Sequence, residues 1–138
     1  MRVFETFSED ETIVAGEEIG RGLPRRALVL LIGNLGAGKT TLAKGIVKGI
    51  GAAAPEEVSS PTFTLIHEYG DRVYHVDLYR IDDERDVRTL GLDELLDRDA
   101  VMLVEWGERF PNLWPTGRIE IRLEAIDDIR RITIRQVA

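Results

Sequence analysis

Residues Gly33-Asn34-Leu35-Gly36-Ala37-Gly38-Lys39-Thr40 fit the pattern G-x-x-x-x-G-K-[ST] of a phosphate-binding loop, and no other stretch constrains the chain so tightly. The apolar block Ala27-Leu28-Val29-Leu30-Leu31-Ile32 comes just before it and predicts a buried strand. Thr41-Leu42-Ala43-Lys44-Gly45-Ile46-Val47 follows with apolar residues at helical spacing. Strand, glycine-rich loop and helix in that order are the context such a loop needs. Gly33, Gly36 and Gly38 let successive backbone N–H groups close around phosphate oxygens with no Cβ in the way. The helix that starts here turns its positive end toward the same anion. Lys39 is placed to meet β- and γ-phosphates, and the Thr40 hydroxyl to ligate Mg²⁺. The competing reading is a glycine-rich turn that merely precedes a helix. A chance match to the pattern in a chain of this length is on the order of 1%, which favours nucleotide binding.

Composition narrows what else the chain can be. Its 138 residues predict one nucleotide-binding domain over 1–138 rather than two domains. A net charge of −7 argues against free, non-specific binding to nucleic acid, so any contact with RNA is expected to be local or arranged by a partner. With no cysteine, disulfides, thiolate metal sites and cysteine nucleophiles are excluded. No apolar run approaches the ~18 residues of a membrane span. Acids at Glu5, Glu9 and Asp10 stand where a signal peptide has its apolar stretch. A cytoplasmic protein with no membrane partner is the expectation.

Along the chain, weak alternation predicts a first strand over Arg2–Phe7. Ser8 and Glu11 have capping-box spacing and open a helix to about Ile19, with Ile13, Val14 and Ile19 inward and Gly20, Gly22 and Pro24 ending it. The helix after the phosphate loop is expected to stop at Ile50, with Gly51 beyond its end. β-branched and aromatic residues predict a strand over Thr62–Tyr69, a turn at Gly70-Asp71 and a return strand over Val73–Asp77. Residues 82–99 hold eight acids against three arginines. They read as the wet face of one or two short helices with Leu92, Leu95 and Leu96 inward, or as a partner-docking surface. Ala100–Trp106 is a second apolar strand, and strict alternation marks strands over Arg118–Glu124 and Arg131–Val137 around a turn at Asp127-Asp128. The expected fold class is α/β, a P-loop NTPase-like sandwich with a mixed central sheet flanked by helices.

A phosphate loop needs a second Mg²⁺ anchor, usually an acid ending a neighbouring apolar strand. Glu105, directly after Val101-Met102-Leu103-Val104, is the candidate. His75 and Asp77 lie two apart on one strand and share a face. Asp77 could orient or deprotonate water near the γ-phosphate, or the two could be a structural pair with Asp77 capping the segment that follows. His67 reads as structural. Ser59-Ser60-Pro61-Thr62 lies where nucleotide switches sense the γ-phosphate, and Thr62 has the hydroxyl to do so. Trp106 is a core or lid aromatic that can also pack near a nucleotide.

Four blocks together resemble the TsaE (YjeE) ATPases of bacterial tRNA threonylcarbamoyladenosine biosynthesis. They are the phosphate loop, Ser60-Pro61-Thr62-Phe63-Thr64-Leu65, His75-Val76-Asp77-Leu78-Tyr79-Arg80, and Leu103-Val104-Glu105-Trp106. Asn34 departs from the family's usual Asp, within the variable part of the loop. The resemblance implies an ATPase, slow alone, that supports threonylcarbamoyl transfer to the adenosine beside the anticodon and works with the proteins of the transferase complex. It implies ATP and Mg²⁺ as cofactors, with Thr40 and Glu105 as metal ligands. Gly36, Ala37, Gly38, Lys39, Thr40 and Thr41 would form the phosphate cradle, and Lys39 and Asp77 would act in hydrolysis. It further implies that Arg130 approaches the nucleotide and that Thr12 faces the adenine. Two other readings remain open on the residues alone: a small-molecule P-loop kinase, and a nucleotide-dependent switch with little turnover. A GTPase is disfavoured because no Asn-Lys-x-Asp motif is present.

Overall fold

Six consecutive apolar residues leave a strand no wet face, so Ala27–Ile32 sits in the middle of the sheet. The fold is that of a computed structural model, which describes residues 2–137. Its strands are β1 (Arg2–Thr6), β2 (Ala27–Ile32), β3 (Ile66–Tyr69), β4 (Val73–Asp77), β5 (Val101–Glu105), β6 (Ile119–Ile126) and β7 (Ile129–Gln136). Its α-helices are α1 (Glu9–Gly22), α2 (Lys39–Ile50), α3 (Glu84–Arg88) and α4 (Leu92–Leu96). The sheet runs β1-β7-β6-β2-β5-β4-β3. Its four inner strands β6, β2, β5 and β4 are parallel, and β3, β7 and β1 pair antiparallel at the flanks. This is the mixed α/β sandwich expected from the sequence.

Alternation along each strand divides the core into two layers. Val29 and Leu31 of β2 meet Leu42, Ile46 and Val47 of α2, with α1 alongside. Leu28, Leu30 and Ile32 point the other way, among Met102, Val104, Phe110, Trp114 and the residues of α3 and α4. On β6 and β7 only Ile121, Leu123 and Ile132 are buried, while Arg122, Glu124, Arg131 and Arg135 face water, as their strict alternation requires. Leu92 is buried and Leu95 and Leu96 are half-buried, so the acids of residues 82–99 do line a solvated surface.

The helix signals are satisfied with small differences. The Ser8 hydroxyl accepts from the Glu11 N–H at 3.1 Å, and the Glu11 carboxylate reaches back to the Phe7 N–H at 3.0 Å, one residue ahead of the cap. Gly51 ends α2 at φ 86°, donating to Val47 and Lys48 carbonyls. Helix α1 continues to Gly22, past the end expected near Ile19, and Val14 is 59% exposed instead of inward. Both departures have one cause. The stripe that α1 buries is made of Thr12, Ala15, Gly16, Ile19 and Gly20, because the backbone of α1 lies directly against that of α2. A Cβ on Gly16 would stand 2.6 Å from the Leu42 carbonyl oxygen. One on Gly45 would collide with Ile13 O, and one on Gly20 with Ile46 O. Glycine at 20 is therefore a packing residue and not a stop signal.

The strand expected over Thr62–Tyr69 begins only at Ile66. Leu65 adopts φ 70° and its N–H closes a turn onto Pro61 O at 2.7 Å, which takes residues 62–65 out of the sheet. The first strand stops at Thr6, and Trp106 lies just outside β5 at φ 66°.

Gly45→Ala is expected to lower the unfolding free energy by about 1–3 kcal/mol, the usual range for overpacking a tight core. Gly22→Ala, whose Cβ meets nothing within 4 Å, should be neutral or stabilising by up to ~1 kcal/mol. Urea denaturation of the two variants checks the pair. Equal stability would show that α1 and α2 do not touch through these glycines.

Candidate nucleotide-binding site

The parallel register brings three chain segments to one edge of the sheet. Leu31 of β2 and Asp77 of β4 both stand opposite Glu105 at the end of β5. The phosphate loop leaves β2 at that same edge, with Gly36 at φ 82° and Gly38 at φ 103° turning the chain into α2. His75, Asp77 and Glu105 occupy alternate positions with Val73, Val101 and Leu103, so all three point to the α2 side of the sheet.

A cavity of about 270 Å³ opens there, lined by Gly36, Gly38, Lys39, Thr40, Thr41, Asp77 and Glu105, together with Leu35, Ser60, Thr62, Tyr79 and Trp106. The residues expected to hold phosphate and metal are thus brought together, with one placed differently. Ala37 lies beneath the loop: its methyl is in the core and its N–H donates to Asn34 O at 3.0 Å.

Lys39 is 5% exposed, and its ammonium donates to Gly33 O at 2.7 Å while lying 3.4 Å from the centre of the Trp106 ring. Burial pushes Lys39 below the usual lysine range, and the charges of Glu105, Glu108 and Asp77 oppose that shift. Trp106 in turn packs on Tyr79, with ring centres 5.1 Å apart. Arg109 holds the start of the segment after β4, donating to Tyr79 O at 2.8 Å and Ile81 O at 2.7 Å.

Two carboxylates are held differently. Glu105 Oε2 accepts from His75 Nε2 at 2.6 Å and from the Thr40 hydroxyl at 3.3 Å. Asp77 Oδ2 accepts from Ser60 at 3.2 Å and Thr62 at 3.1 Å, and Oδ1 accepts from the Tyr79 N–H at 2.8 Å. Asp77 therefore both caps the next segment and lines the cavity, where the sequence offered these as alternatives. His75 is not paired with Asp77; it serves Glu105. That link crosses from β4 to β5, and no spacing in the sequence signals it. His67 contacts Tyr69 instead and lines no part of the cavity.

A second cavity of about 110 Å³ adjoins the first at Thr41 and is lined by Phe7, Ser8, Glu9, Thr12, Asp128 and Arg130. Arg130 makes no side-chain hydrogen bond or ion pair among the described residues. Thr12 is 2% exposed; its hydroxyl donates to Ser8 O at 3.1 Å and lies 2.6 Å from that of Thr6, so its proton is committed to the protein.

The donor set suits a magnesium nucleotide. Among the described residues no three His, Cys, Asp or Glu side chains gather into a metal cage. Thr40 gives its proton to Glu105 and keeps lone pairs for an ion, the arrangement for a cation held partly by its own nucleotide. A glycine-rich loop between a buried strand and a helix, with a threonine and a strand-end acid converging beside it, defines a P-loop nucleotide-binding protein.

Comparisons with known proteins agree. A family model described as "Threonylcarbamoyl adenosine biosynthesis protein TsaE" matches residues 6–133, and the chain belongs to that family. It is 45% identical over 114 residues to the tRNA threonylcarbamoyladenosine biosynthesis protein TsaE of Bacillus subtilis, covering 80% of this chain and 70% of the relative. The protein of the same name from Treponema pallidum is 38% identical over 130 residues, 92% of this chain and 95% of its own. The crystal structure of Bacillus subtilis YdiB superposes with a TM-score of 0.79 at 33% identity, covering 99% of this chain and 86% of that one.

Lys39→Met keeps the side-chain length without the charge. The ligand-free variant is expected to unfold within about 1 kcal/mol of the parent, because burial cost and charge pairing oppose each other at Lys39. If the cavity takes Mg-ATP, the nucleotide should raise the parent's midpoint through ligand linkage and leave that of Lys39→Met unchanged. Thermal unfolding with and without nucleotide reads both outcomes.

Proposed function

We propose that residues 1–138 act as one domain that binds ATP with Mg²⁺ and hydrolyses it slowly. It does so in the cytoplasm, with partner proteins of the threonylcarbamoyl-transferase complex, in support of threonylcarbamoyl transfer to the adenosine beside the anticodon of tRNA. The observation that carries the reading is the convergence of Lys39, Thr40, Asp77 and Glu105 on one cavity at the carboxyl edge of parallel strands. Among the described residues no helix is long and apolar enough to cross a membrane.

In this reading the free N–H groups at the start of α2 receive the phosphates. Lys39 exchanges Gly33 O and the Trp106 ring for phosphate oxygens. Thr40 and Glu105 would hold Mg²⁺, directly or through water, and the ion would neutralise charge developing on the phosphates. Asp77 is fixed by Ser60, Thr62 and the Tyr79 N–H so that its carboxylate stays at the cavity wall, where it aims the attacking water. The second cavity, with Phe7, Thr12, Asp128 and Arg130, takes the adenosine end. The net charge of −7 leaves tRNA to the partners or to a local contact.

The two acids separate by experiment. Glu105→Gln should raise the Mg²⁺ needed for ATP binding. Asp77→Asn should bind Mg-ATP nearly as the parent does but turn it over at least ~10-fold more slowly, a floor below what a general base supplies. Turnover is measured with partner proteins present, by phosphate released to water. Parent-rate hydrolysis by Asp77→Asn together with unchanged Mg²⁺ dependence in Glu105→Gln would falsify both roles. Phosphate passed to a metabolite would instead mark a kinase.

ATP should also displace a bound fluorescent adenine nucleotide at lower concentration than GTP does, since the chain has no guanine-reading Asn-Lys-x-Asp motif. A competition titration in which GTP matches ATP would overturn the base preference.

A further inference from the structure

His75 is 0% exposed and lies on β4, yet the proposed chemistry leaves it without a role. Its Nε2 is 2.6 Å from Glu105 Oε2, and its Nδ1 is buried with no hydrogen-bond partner among the described residues. A carboxylate oxygen only accepts, so the proton of this contact is on the ring nitrogen Nε2.

We infer that His75 is a positioning residue for Glu105. Its Nε2–H and the Thr40 hydroxyl both donate to the same carboxylate oxygen, Oε2. This fixes the carboxylate plane between β4 and the start of α2 and leaves Oε1 without a partner among the described residues. Oε1 is then the oxygen that serves the ion or its water. Glutamate has one more rotatable bond than the aspartate more usual at this place, so its head needs an added constraint to stay aimed. The buried imidazole supplies it, because a ring in the core keeps one orientation. The inference rests on the magnesium-nucleotide reading of the cavity.

The test compares His75→Gln, whose amide N–H₂ reaches the place of Nε2, with His75→Leu, which fills the volume and donates nothing. His75→Leu is expected to need about 10-fold more Mg²⁺ for half-maximal ATP binding, at the low end for loss of an outer-shell partner. Its affinity for ATP without Mg²⁺ should match the parent's, and His75→Gln should recover most of the Mg²⁺ response. Independently, ¹⁵N NMR of the ligand-free parent should show a proton on His75 Nε2; the only other histidine, His67, is assigned by His67→Gln. A parent-like Mg²⁺ response in folded His75→Leu, or an Nε2 that carries no proton, overturns the inference. The Nε2 proton is read on the parent, so it decides even if His75→Leu does not fold. A parent that binds no Mg-ATP sinks the nucleotide reading instead.

Discussion

The parallel register of β2, β5 and β4 places Leu31 and Asp77 on either side of Glu105, and the cavity depends on that alignment. Parallel strands end at the same edge, so the loop leaving β2 and the acids ending β4 and β5 emerge together. Side chains alternate with a period of two, so a slip of one residue in β5 would turn Glu105 toward α3 and α4, away from Thr40. The register is held by what lies beneath: Val29, Leu31, Val101, Leu103 and Val73 fill one layer with no exposure above 2%, so a slip would expose apolar groups along with misplacing the acid.

A second constraint acts from the other side of the loop. Glycines of α1 meet the backbone of α2, which draws the start of α1 against the start of α2. Thr12 and Thr41 thereby line one cavity, and Arg130 joins them because β7 pairs with β1 at Thr6. Close helix packing and the second cavity are consequences of the same small residues. The capping bonds of Ser8 and the buried Thr6–Thr12 contact tie this corner to the sheet.

Strain collects beside the acids. Leu65 and Trp106 are non-glycine residues at φ 70° and 66°, a conformation that costs on the order of 1–3 kcal/mol each. Leu65 O accepts the Asp77 N–H at 2.9 Å, and Trp106 directly follows Glu105. Each strained residue thus fixes the backbone next to a carboxylate. Trp106 also gives the Lys39 ammonium a π-face, which offsets part of the cost of burying that charge.

The sequence by itself determined the phosphate loop, its flanking strand and helix, the Ser8 and Gly51 caps, the alternating β6–β7 hairpin and the strand-end position of Glu105. Each is written in local spacing: a turn, a cap or a face is set by residues a few positions apart. Only the tertiary structure decided which groups meet across strands. The bond from His75 to Glu105, the hydroxyls of Ser60 and Thr62 on Asp77, and Lys39 over Trp106 join segments 15 to 67 residues apart in the chain. Tertiary contact also overrode two local signals. Gly20 reads as a helix stop but serves as a contact with α2, and the β-rich run from Thr62 yields its first residues to a turn. Both follow from what lies opposite, a helix backbone in one case and a buried carboxylate needing donors in the other, and a single chain segment carries no record of its neighbours.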